Sequence, residues 1–251
     1  MPYEIGGKKI VMLLALSGLL SGLLTCVYLP PDREEAGLYC GVLFGFFFAV
    51  PLAISGILGT GIISNLLRVL GLIAISAAAY LLASFIAIGI QMGFPQIVPS
   101  NERWDMSTEE PASATALFIG GLIGGLIVFT GLVFLSRSEA NKGTHARKII
   151  LGTLLGGVLA LIGWALRSSI GASTWHLLHS FGLTPAWELS PRQPFHGHYD
   201  IGQRSRMYSL YIVWQTGVAA AAGFMFRHTF EGKQHKSDSL QLFSPRLRAD
   251  Q

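Results

Sequence analysis

The stretch ALFIGGLIGGLIVFTGLVFL, Ala116–Leu135, is the strongest constraint on what this chain can fold into. It carries no charge. As a helix rising ~1.5 Å per residue it is long enough to cross a ~30 Å hydrocarbon core. Its glycines recur at four-residue spacing twice over, Gly120 with Gly124 and Gly121 with Gly125. That spacing is about one helical turn, so each pair opens a shallow groove where a second helix backbone can approach closely.

The same device recurs in other apolar runs, and composition agrees with it. Of 251 residues 13% are charged and 51% hydrophobic, whereas a soluble domain carries roughly 25% charge. The chain therefore falls in the membrane class. Six runs read as transmembrane helices, at 10–29, 38–58, 69–90, 115–135, 149–166 and 207–226. The expected fold is an all-α integral membrane protein, a single six-helix bundle packed along glycine and small-residue faces in a lipid bilayer.

Lys8 and Lys9 precede the first run, as in a signal peptide, but the run is too long for an h-region and no small-x-small site precedes Pro30. It reads as an uncleaved span whose small residues include Ser17, Gly18, Ser21 and Gly22. Gly41, Gly45, Ala49 and Ala53 line one face of the second span, and Pro51 inside it is expected to kink the helix. A tight turn is expected around Gly59–Asn65, then a third span with Gly71, Ala79, Ala83 and Ala87. Ser107 and Glu110 have the spacing of a capping box, which would start the fourth helix before its apolar core. Gly152, Gly156 and Ala160 mark a face of the fifth span. The connection 167–206 is long and carries its own structure: Ser173 can cap a short helix that Gly182 ends, and Thr184 with Pro185 opens another turn. The tail 227–251 is polar and reads as mobile.

Six spans put both termini on one side. Of 18 Lys and Arg residues, twelve fall on that side: Lys8, Lys9, Arg68, Arg137, Lys142, Arg147, Lys148 and five in the tail. The positive-inside rule then makes both termini cytoplasmic and the 167–206 connection extracytoplasmic, in a bacterial inner membrane. No basic stripe with interleaved aromatics stands outside the spans, which argues against a nucleic-acid partner.

No Asp, Glu, Lys, Arg or His lies in the central part of any span, although coupled transporters usually keep such groups there. The strongest intramembrane polar group is Gln215, beside Trp214. The strings SGLLSGLL (17–24) and GGLIGGLI (120–127) lie in the first and fourth spans, and G-x-L-x-G recurs in the second and fifth, an outline of two inverted three-helix halves. In the outer connection, His176 with His179 and His196 with His198 have spacings that place each pair on one side of a helix or strand. Together they are candidate ligands for zinc or copper, with Glu188 or Asp200 in support. The competing reading is an interfacial helix with Trp175, Leu178 and Phe181 turned down and the histidines at the water boundary. Cys26 and Cys40 flank a short turn at similar depth, so a disulfide between them is expected to be geometrically accessible.

No H-E-x-x-H, G-x-S-x-G or phosphate-binding loop is present, and the chain reads as non-enzymatic with no cofactor expected. The leading functional reading is a structural or accessory membrane component that presents the outer loop, in contact with lipid and other membrane subunits. The alternative is a small-solute transporter or channel built from two inverted halves, with a cavity lined by Gln215, Ser76 and Ser84. A third is an extracytoplasmic metal site or sensor.

Overall fold

The computed structural model describes residues 7–28, 36–59, 61–93, 113–136, 142–183 and 208–226. Among these residues there are seven helices and no strand: α1 (Gly7–Tyr28), α2 (Ala36–Ile54), α3 (Ile62–Gly93), α4 (Ala114–Leu135), α5 (Lys142–Ala165), α6 (Ile170–Ser180) and α7 (Tyr208–Phe226). All but α6 are long and apolar enough to cross a membrane, so the chain is a multi-pass integral membrane protein.

Glycine explains how the helices meet. Lipid tails are as apolar as leucine, so burial offers little drive for association, and close van der Waals packing must supply it. On α4 the two glycine pairs face different neighbours. Gly121 and Gly125 lie against the backbone of Gly156 and Gly152 on α5, while Gly120 lies against Ala83 and Ala87 of α3. On α2, Gly41 and Gly45 rest on Ala77 and Ile73 of α3. On α1, a Cβ at Gly18 would stand 2.5 Å from the Gln215 carbonyl oxygen, and one at Gly22 would stand 2.9 Å from Ile212 Cα. Gly163 of α5 meets Leu210 of α7 in the same way. Every pairing is antiparallel.

These contacts close a ring. α1 packs on α2, α2 on α3, α3 on α4 and α4 on α5. Then α7 sits between α5 and α1. The middle of the ring is filled by side chains from all sides. Phe44 stacks on Phe48 at 5.2 Å and meets Trp214 edge-on at 5.6 Å, and Tyr80 meets Trp214 at 5.1 Å. Phe129, Leu132, Leu14 and Phe226 complete this core.

Several boundaries differ from the sequence expectation. α3 begins at Ile62, so Asn65 lies inside a helix and not in the expected turn, and Arg68, just ahead of the expected span, is helical as well. The true turn is tighter: Gly56 takes φ +73°, Ile57 N–H donates to Leu52 O, and Gly56 N–H donates to Ala53 O, the Schellman pattern that favours glycine. The helix extends because Arg68 has partners there, donating to Leu58 O at 2.6 Å and Leu135 O at 3.0 Å. A cation at the C-terminal ends of α2 and α4 is also favoured by their dipoles. α5 likewise starts early, at Lys142, and Lys148 Nζ lies 3.9 Å over the Phe226 ring.

The cap of α4 is Ser113, whose hydroxyl accepts from Ala116 N–H at 3.1 Å. The capping box of Ser107 and Glu110 lies outside the described residues. α6 starts at Ile170, so Ser173 is inside the helix rather than at its cap. Its end is as the sequence suggested: Gly182 takes φ +68° and Leu183 N–H donates to Leu178 O.

Candidate functional site

Pro51 shows how polar groups are handled here. A proline inside a helix leaves the carbonyl four residues earlier without its donor. That carbonyl belongs to Phe47, and the Ser17 hydroxyl of α1 donates to it. α2 therefore runs on to Ile54 with the proline inside it. Glycine backbones are used similarly, since no side chain shields their carbonyls. Trp214 Nε1 donates to Gly156 O at 3.2 Å and Ser209 Oγ to Gly163 O at 2.7 Å.

The polar group singled out by sequence, Gln215, is fully buried where α7 meets α1. Its backbone lies against Gly18, and its side chain runs along α1 so that Nε2 reaches Thr25 Oγ1 at 3.3 Å. Ser21, also fully buried, sits between those two points on α1. Across the core the Tyr80 ring of α3 packs edge-on, at 5.1 Å, against Trp214, the chain neighbour of Gln215. Ser76, one turn from Tyr80 on the same face, is fully buried against α2. Gln215 Oε1, Tyr80 Oη, Ser21 Oγ and Ser76 Oγ are buried and have no hydrogen-bond partner among the described residues. Each such group costs about 1–3 kcal/mol if left dry.

The seam continues toward the end of the bundle that carries α6. Cys26 Sγ lies 3.9 Å from the Tyr208 carbonyl. Both cysteines are buried and free. Leu178 of α6 closes over them, packed with Cys26 and Tyr208. Every group of this seam is neutral.

Of the residues expected from sequence, Gln215, Ser76 and Cys26 fall into or beside the seam, with Cys40 near it. Ser84 sits one turn beyond Tyr80, against Gly37 at the start of α2. His176 and His179 lie on α6 and flank the Trp175 ring, His179 stacked on it at 5.0 Å and His176 edge-on at 4.9 Å. His196, His198, Glu188 and Asp200 lie outside the described residues. Of the apolar residues of this segment, Leu178 is buried against Cys26 and Tyr208, and Phe181 is largely exposed. Sequence reasoning missed Tyr80. Its signal was there: Ser76, Tyr80 and Ser84 recur at helical spacing on one face of α3.

Comparison with protein-family models, with curated proteins and with solved structures finds no match to this chain.

Proposed function

We propose that the protein is a structural or accessory component of a bacterial inner membrane, with both termini in the cytoplasm. It would present the 167–206 connection, α6 included, to the extracytoplasmic side for contact with other membrane subunits. The observation that carries this reading is the closed ring whose middle is occupied by Phe44, Phe48, Tyr80 and Trp214. A ring filled by interlocked aromatic rings is a scaffold rather than a conduit.

The order of the ring also weighs against two inverted halves. Matching α1 with α4, α2 with α5 and α3 with α7 pairs helices that lie opposite one another and run in opposite directions. An in-plane two-fold axis would reverse the order of neighbours, which the ring does not do. Only a centre of inversion would relate the halves, and a chain of L-amino acids has none. Leu177 of α6 and Phe181 directly after it are exposed and provide an apolar surface for a neighbour.

A photo-crosslinking side chain placed at Leu177 of the full chain in its native membrane is expected to give one discrete adduct. Proteoliposomes of the purified protein are expected to pass urea and glycerol no faster than empty vesicles. No adduct together with accelerated flux overturns the reading in favour of a solute pathway.

A further inference from the structure

We propose that Ser21, Ser76, Tyr80 and Gln215 line a buried hydration site, at which ordered water is the neutral ligand joining α1, α3 and α7. Gln215, Ser21 and Ser76 are fully buried, and each of the four residues has a polar oxygen lacking a protein partner. In a bundle surrounded by lipid no solvent outside the helices can satisfy them.

Their chemistry is complementary to water. Gln215 Oε1 can only accept, whereas the Tyr80, Ser21 and Ser76 hydroxyls both donate and accept. A buried water makes about three hydrogen bonds, a number these groups supply from separate helices. The ligand is neutral because no Asp, Glu, Lys, Arg or His is among the groups that line the seam, and an uncompensated charge there would be strongly disfavoured. It is small because Tyr80 is already held against Phe44 at 6.1 Å and Trp214 at 5.1 Å between ring centroids.

Hydroxyl-radical footprinting by X-ray radiolysis labels side chains beside bound water, and it is applied to the full chain in lipid nanodiscs. Tyr80 is expected to be oxidised well above Phe129, a buried ring of comparable reactivity in the apolar core. In Gln215→Leu that labelling is expected to fall to the level of Phe129. A second measurement needs no large change in packing. If water is bound, Tyr80→Phe removes one of its partners and lowers the melting temperature by about 2–4 °C. Labelling of Tyr80 no greater than that of Phe129, or a melting temperature that rises in Tyr80→Phe, overturns the proposal, because a dry orphan hydroxyl is better removed.

Discussion

Ser17 and Pro51 are joined by a single carbonyl, that of Phe47, and neither residue explains itself alone. Proline removes the helical donor to Phe47 O, and serine on the neighbouring helix replaces it. A double-mutant cycle isolates this arrangement. Ser17→Ala is expected to destabilise the parent by about 1 kcal/mol, within the range for one hydrogen bond inside a membrane bundle. In a Pro51→Ala background the helix supplies its own donor, so the same serine change is expected to cost almost nothing. Chemical denaturation in mixed micelles measures both differences, and equal costs in the two backgrounds would remove the link. Trp214 has a wider reach at this scale: it touches Phe44, Tyr80, Gly124 and Gly156, one residue each from α2, α3, α4 and α5.

α4 is the element most enclosed by others, with glycine pairs presented to α3 and to α5 at once. It behaves as a double-sided spacer, and α3 and α5 are set apart by its width. α6 differs in kind: it is short, lies where α1 ends and α7 begins, and docks through Leu178 onto Cys26 and Tyr208. Beneath it the bond between Cys26 and Cys40 stands as a proposal. α1 and α2 are antiparallel neighbours, and both thiols are buried near this end. A mild thiol oxidant would form the bond with loss of one hydrogen from each sulfur. Closing a loop of this length contributes up to about 3 kcal/mol by the chain-entropy model. Labelling the denatured, unreduced protein after oxidation is expected to find no free thiol, and two per chain would rule the bond out.

At the scale of the whole molecule, the six long helices among the described residues form an antiparallel ring closed by α7, with an aromatic core and a polar seam set toward α6. Its ends differ as well. Arg68 and Lys148 sit at the end opposite α6, Arg68 tied to backbone carbonyls and Lys148 to an aromatic ring. With twelve of 18 Lys and Arg on the side of the termini, that end is expected to face the cytoplasm. A reporter fused after Phe226 should be active only in the cytoplasm, and one inserted after Leu183 only outside. The reverse pattern would invert the molecule and place the α6 surface inside the cell.

The sequence by itself determined the number of spans and the residues at which helices touch. Both are local matters: crossing the hydrocarbon needs a minimum apolar length, and close approach needs residues without bulk at helical spacing. The stop at Gly182 was legible for the same reason, since a left-handed residue there calls for glycine. The early starts of α3 and α5 were not, because Arg68 and Lys148 become acceptable in a helix only through Leu58, Leu135 and Phe226, partners distant along the chain. Nor could the ring order be read. In a soluble protein an apolar stripe marks the inside, but in lipid a leucine is equally at home facing outward. Leu14 is fully buried and Leu16 half exposed on the same helix, with nothing in their chemistry to tell them apart. Only the tertiary structure decided which glycine meets which helix, and so which polar side chains were left together around Gln215.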